Sequence, residues 1–333
     1  MQPTSVPSSL YRAWKGRRPA VLRATSAAAV AAALALPPVS ASAQGVPIVR
    51  DAETEALIQD YAGPIFTAAG VGNGAVRIYL VPDTGFNAFV ADPTRMFVNT
   101  GAIMAAETPG EIIGVLAHEA AHLAHGDLAG LRQSIANSST AALIGALLGV
   151  GAAIVGSSTG MQGLGQAGTG IMAGSMHVAQ RNILAYVRAQ EASADRAAVD
   201  YLNATGQSPM GMVRVLERLA DQVLLSAQRA DPYTQSHPLP ADRLSTMRAL
   251  ANQSPFASRT DPPDLQRRHD LVRAKLAGFT LTPQQVGRRY PQNDNSLPAR
   301  YARAIAAYRG GAIDSALNRI DELIQSEPEN AFF

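Results

Sequence analysis

Three of the chain's six histidines fall within eight residues, in the stretch Leu-Ala-His-Glu-Ala-Ala-His-Leu-Ala-His at 116–125. On a helix, His118 and His122 stand about 40° apart around the axis and about 6 Å apart along it, so both imidazoles face one point. That suits two ligands of a single tetrahedral zinc ion, bound through neutral ring nitrogens at about 2.0 to 2.1 Å. Glu119 is rotated about 100° from His118 and does not readily join the pair, but its carboxylate reaches a water on the ion's open position. The chemistry implied is metal-assisted hydrolysis, with Glu119 as the base. His125 lies a further turn along, and a supporting or surface role is expected for it.

A second segment, Ala189 to Leu202, supplies what the first lacks. Its alanines and the apolar positions Ala194, Ala197, Ala198 and Tyr201 predict a helix, on which Glu191 and Asp195 share a face. Glu191 completes a His, His, Glu ligand set and leaves a fourth position for water. Asp195, one turn on, can accept the free ring N–H of a liganding histidine and fix its tautomer. Either segment alone has a plainer reading, a polar helix face. Together they match a zinc metalloprotease pattern, His-Glu-x-x-His with a distant acid.

The elements that must carry these residues are partly written in the local sequence. Thr108-Pro109-Gly110-Glu111 reads as a capping box with proline at the first helical position, which predicts a helix from about Pro109 into the 130s. The segment around Asn87 to Val90 alternates polar and apolar residues between turn signals and predicts an exposed edge strand, to which an extended peptide can add. Downstream, a helix is expected from about Pro263 to Ala277, then a linker at Pro-Gln-Asn-Asp-Asn-Ser-Leu-Pro, residues 291–298.

At these motifs the chain resembles the M48 family of zinc metallopeptidases, whose pattern is His-Glu-x-x-His followed downstream by Glu-x-x-x-Asp. The segment Phe86 to Met104 is similar to the family's strand and turn before the zinc helix, and Ser236 to Leu244 to its His-Pro…Arg element. The resemblance implies one zinc ion per chain held by His118, His122 and Glu191, with Asp195 supporting a ligand. It further implies Glu119 and His237 as catalytic residues, His237 near the substrate carbonyl, and Asn87, Ala88, Phe89 and Arg243 as substrate contacts. The related metzincin pattern requires glycine at 125 and histidine at 128, where this chain has His125 and Leu128. His177 and His269 have no partner pattern and read as structural.

The fold class implied is α+β and mainly helical: a zincin-like metallopeptidase domain with a small edge sheet, followed by tetratricopeptide (TPR)-like helices. Residues 1–43 read as a signal peptide, with five basic side chains, an apolar run from Ala27 to Leu36 and a cleavage pattern at Ala41-Ser42-Ala43. An uncleaved anchor and a twin-arginine route through Arg17-Arg18 are the alternatives. The peptidase-like domain is expected over 44–250, a helical connector and linker over 251–296, and a TPR-like hairpin over 297–333. In that hairpin Ala304, Ala316, Ile320 and Leu323 take the packing positions and Arg309-Gly310-Gly311 the turn.

Charge and composition exclude other classes. Without residues 1–43 the chain holds 23 basic and 26 acidic side chains, a net of −3, so nothing favours nucleic acid. With no cysteine, disulfides and thiolate sites are excluded, and a metal must be held by histidines and carboxylates. The apolar run 141–155 and the glycine-rich stretch after it suit a lid, a peripheral membrane contact or a buried helix. The expected setting is export to the periplasm, the expected substrate an unfolded or extended polypeptide, and the TPR-like helices a site for a protein partner. Two other functions fit the same residues: an exported TPR scaffold or chaperone with a non-catalytic metal, and a zinc hydrolase of a non-peptide amide.

Overall fold

The computed structural model describes residues 46–72, 74–140, 162–225, 233–234, 237 and 241–333. The expected signal peptide and the apolar run 141–155 lie outside these residues.

Helix α1 (Ala52–Ala68) begins at Asp51, whose side chain accepts from Thr54 N at 3.1 Å. Its buried residues Leu57, Ile58, Tyr61 and Ile65 form one helical stripe. Strands β1 (Arg77–Val81), β2 (Ala88–Asp92) and β3 (Arg95–Asn99) form a sheet in the order β1-β3-β2. β1 runs parallel to β3, and β2 antiparallel to it. Tyr79, Phe97 and Phe89 stand in register across one face and stack with centroid separations of 5.4 and 5.2 Å, while Leu80, Val98 and Ala88 are buried on the other. β2 is an edge strand, as expected, although Asn87 lies just before it.

β3 passes directly into α2 (Thr100–Ala105). Gly101 sits there because a Cβ would lie 2.2 Å from Thr84 O, and its N–H donates to Asp83 O at 2.8 Å. Next comes α3 (Pro109–His125), buried on every side from Pro109 to Ala121 and packed among α1, the sheet, α4 (Gln162–Ala204) and α5 (Met210–Leu225). The crossing with α5 is close because Gly211 faces Gly110: a Cβ on Gly211 would stand 2.0 Å from Gly110 O.

The start of α3 differs from the capping box that local sequence suggests. Thr108 makes no side-chain cap bond. Its hydroxyl instead accepts from Arg214 Nη2 at 3.0 Å, and Glu111 is drawn to Arg218, 2.8 Å away on α5. Asp261 takes the orphan N–H of Gly110 at 3.0 Å. Tertiary partners thus satisfy the helix end that the local residues were placed to cap.

The helix also ends earlier than expected. Gly126 adopts φ +67°, a left-handed C-cap that stops α3 at His125. A second helical stretch then runs over 127–140.

After α6 (Ala241–Gln253), α7 (Pro263–Thr280) serves two cores. Val272, Leu276 and Ala277 join the main core, while Leu271 packs with Tyr301, Ile305 and Leu323. α8 (Pro283–Arg289) carries a complete capping box between Thr282 and Gln285. α9 (Leu297–Arg309) and α10 (Ile313–Ser326) form a hairpin turning at Gly310 and Gly311, with Ala304, Ala316 and Leu323 buried between them. Because α7 belongs to both cores, Pro47–Phe333 packs as one compact unit. Among the described residues no helix is long and apolar enough to cross a membrane.

Candidate metal centre

α4 crosses α3 so that Glu191 meets the two histidines. His118 Nε2 and His122 Nε2 are 3.0 Å apart, Glu191 Oε2 is 3.3 Å from the first, and Glu191 Oε1 is 3.4 Å from the second. Donors each about 2.05 Å from one tetrahedral ion stand about 3.3 Å from one another, and these separations, one from each Glu191 oxygen, are close to that value. His237 joins the cluster: its Nδ1 is 3.0 Å from Glu191 Oε1, and all four residues offer a ligand atom within 4.8 Å of one another. His118, Glu119, Glu191 and His237 are buried, and His122 nearly so.

The two histidines of α3 each have a carboxylate near the ring nitrogen that faces away from the cluster. Asp195 Oδ1 is 3.0 Å from His118 Nδ1, and Asp127 Oδ2 is 2.7 Å from His122 Nδ1. Both arrangements aim the Nε2 atoms into the cluster and raise their basicity. Burial alone disfavours a charged His122, but Asp127 and Glu191 outweigh it and push its pKa up to about 10. Glu191 is likewise opposed by burial, yet the three surrounding histidines hold its pKa far below the ordinary carboxylate range. For Asp195, His118 and Arg243 overcome burial and lower it to about 2. A divalent cation suits such a site, since it replaces the protons that the imidazoles otherwise hold beside a carboxylate.

Glu119 lies on the same helix, one residue after His118, and its Oε1 is buried with no hydrogen-bond partner among the described residues. That oxygen is 3.4 Å from His237 Nε2. An unpartnered buried carboxylate oxygen beside a ligand cluster is what a base for an attacking water requires.

Arg243, grouped by resemblance with the substrate contacts, lies against the cluster, with Nη2 3.4 Å from His118 Nε2. It grips both oxygens of Asp195 at 2.8 and 2.9 Å, and its Nη1 is 2.7 Å from Glu191 Oε2. It is 6% exposed, so its fork geometry serves the two buried acids. Asn87 O accepts from Asn99 N, Ala88 is buried beneath the sheet, and Phe89 is half-buried facing the cleft. His125 stays outside the cluster, with Nδ1 3.9 Å from Asp127 Oδ2. His269 is buried between Tyr61 Oη and Ala106 O, each 3.0 Å away.

Two neighbours of the site were not marked by the sequence pattern. Asp127 follows the Gly126 turn, and a Gly-Asp pair at the end of a histidine helix is its only signal. Tyr233 stacks on His237 with ring centroids 4.6 Å apart and accepts His237 N at its carbonyl at 2.7 Å. Nothing in the local sequence distinguishes it.

A mainly helical fold with an edge sheet, and a His-Glu-x-x-His helix met by a glutamate from a second helix, together define a metallopeptidase domain of the zincin-like kind. The model of peptidase family M48 matches residues 49–251, and the chain belongs to that family. It is similar to the beta-barrel assembly-enhancing proteases of Yersinia pestis, 25% identical over 297 residues, and of Escherichia coli (strain K12), 25% identical over 298. A putative beta-barrel assembly-enhancing protease of Vibrio cholerae is 24% identical over 294 residues. Each alignment covers 86% of this chain and 58% of the relative, so the chain spans less than two-thirds of their length.

Proposed function

We propose that the protein is a zinc-dependent endopeptidase acting on unfolded or extended polypeptides of the cell envelope. The observation that carries this reading is the mutual spacing of His118 Nε2, His122 Nε2 and Glu191, close to that of ligands on one tetrahedral ion, with Glu119 Oε1 buried and unpartnered beside them. His118, His122 and Glu191 hold the zinc, one ion per chain. When bound, zinc supplies Lewis acidity toward water and toward a carbonyl oxygen.

The remaining chemistry belongs to the chain's own groups. Glu119 takes a proton from the attacking water and later delivers it to the leaving amine. His237 Nε2, on the Glu119 side of the cluster, donates to the carbonyl oxygen as that oxygen gains negative charge. Asp195 and Asp127 hold the two imidazoles, and Arg243 holds Asp195 and Glu191. The free edge of β2 around Asn87, Ala88 and Phe89 pairs with the substrate main chain, which makes recognition tolerant of sequence.

Export to the periplasm is supported by the basic, apolar and Ala-x-Ala features of residues 1–43 and by relatives named for β-barrel assembly. Peripheral membrane contact through 141–155 and a protein partner at the TPR-like helices belong to the same proposal.

The test pairs zinc quantification with cleavage of casein by the wild type and by Glu119→Gln. Zinc in both proteins and cleavage by the wild type alone is expected. Zinc in both with cleavage by neither would favour an exported scaffold, and hydrolysis confined to non-peptide amides would favour the other enzyme class.

A further inference from the structure

The outer torsion of a histidine side chain is ordinarily broad, so its ring plane is loosely set unless something packs against it. His237 has such a neighbour: Tyr233 stacks on its ring with centroids 4.6 Å apart and 28° between the planes. The stack sets the plane of the imidazole. The contact of Nδ1 with Glu191 Oε1 at 3.0 Å then selects which of the two orientations in that plane the ring takes, and Nε2 is turned toward Glu119, 3.4 Å from Oε1. The stack is itself backed. Tyr233 is fully buried and meets Phe86, the residue ahead of Asn87, in a T-shaped contact at 5.8 Å. Arg218 lies over the Phe86 ring, 5.5 Å from its centroid, and is anchored 2.8 Å from Glu111, buried in the first turn of α3. Tyr233 O also accepts from His237 N at 2.7 Å. Any residue at 233 would supply that carbonyl, so what the side chain adds is the ring.

We propose that Tyr233 is a positioning residue for the hydrolysis, its ring holding His237 so that Nε2 is already aimed at the reacting carbonyl oxygen. The inference rests on the peptidase reading, in which His237 Nε2 donates to that oxygen. A donor stabilises charge that develops in the transition state only if it needs no reorientation at that moment. A ring released from its stack swings through several orientations, and a misplacement of about 1 Å at a reacting centre costs on the order of a hundredfold in rate. Tyr233 is buried beneath His237 and meets no substrate, so its effect falls on kcat rather than on KM. The ring works by contact area and plane, which phenylalanine supplies and leucine does not.

The experiment compares the zinc-loaded full chain with Tyr233→Phe, Tyr233→Leu and His237→Gln, reading kcat and KM on a fluorogenic casein peptide and the histidine ring signals by NMR. Tyr233→Leu is expected to lower kcat by about tenfold to a hundredfold with KM and zinc content unchanged, while Tyr233→Phe stays within about twofold of the wild type. The His237 ring signal, assigned by its loss in His237→Gln, should lie upfield in the wild type and in Tyr233→Phe through the ring current of residue 233, and return to the ordinary histidine range in Tyr233→Leu. Adding Tyr233→Leu to His237→Gln should cost no further activity, since the two side chains act as a unit. If Tyr233→Leu does not fold, the wild-type signal and Tyr233→Phe decide the matter. An unshifted His237 signal in the wild type, a loss in Tyr233→Phe as deep as in Tyr233→Leu, a rise in KM alone, or a further loss in the double variant overturns the positioning role while leaving the peptidase intact. No cleavage by the zinc-loaded wild type overturns both.

Discussion

Asp127 stands 2.7 Å from His122 Nδ1, on the far side of a left-handed glycine that separates the two residues by a helix break. Asp195, on another helix, places its Oδ1 3.0 Å from His118 Nδ1. The two histidines of one motif are therefore oriented by carboxylates of different origin, one local and one tertiary. Asp127→Asn and Asp195→Asn should each weaken zinc binding by about tenfold to a hundredfold, because the ligand loses its anionic support. Competition against a chelating dye measures this without reference to catalysis.

Arg243 neutralises two buried acids at once. Arg243→Met leaves Asp195 and Glu191 without their guanidinium partner, and removing one partner of a buried pair costs about 3 to 5 kcal/mol. Urea unfolding of the metal-free proteins should show a loss of that order. An unchanged midpoint would mean that the acids are solvated or protonated in solution.

His269 ties α7 to α1 and to Ala106, at the end of α2. Burial pushes its pKa down to about 4, against the bond to Ala106 O and together with the charge of Arg273. The unfolded chain takes up a proton near pH 6.5, the folded chain only near 4. The stabilising effect of keeping His269 neutral is thus fully present above pH 6.5 and is lost as pH falls to 4, by on the order of 3 kcal/mol. Thermal unfolding in chelator should decline over that interval in the wild type and decline less in His269→Gln.

Gly211→Ala places a methyl 2.0 Å from Gly110 O at the α3–α5 crossing, where backbone rather than a flexible side chain must yield. A cost of about 1 to 3 kcal/mol is expected from the overpacking. Zinc affinity should fall as well, since α3 carries both histidines. Gly287→Ala, which lies within α8 and meets nothing within 4 Å, is the control and should leave zinc affinity unchanged and stability undiminished.

What the sequence displays and what it conceals follow from range. His118, Glu119 and His122 share a helix, and so do Glu191 and Asp195, so helical periodicity alone fixes which of them face together. Their meeting across two helices was legible because the chemistry of a His, His, Glu set demands it. Asp127 was hidden for a geometric reason: in an uninterrupted helix it would lie about 140° around the axis from His122, and only the Gly126 turn brings it back. Arg243 and Tyr233 owe their positions to segments far away in sequence. The Thr108 box was a sound local pattern overruled by Arg214, Arg218 and Asp261, groups 103 or more residues distant. The division expected near residue 250 was read from local composition, which carries no record that α7 packs on both neighbours at once.

In the proposed centre His118, His122 and Glu191 close on one zinc ion while Glu119 stands free of it. Zinc content by mass spectrometry after dialysis, compared among the wild type, Glu119→Gln and Glu191→Ala, tests it most directly. One ion per chain is expected in the first two and essentially none in the third. One tightly held ion in Glu191→Ala, or its loss in Glu119→Gln, would contradict it.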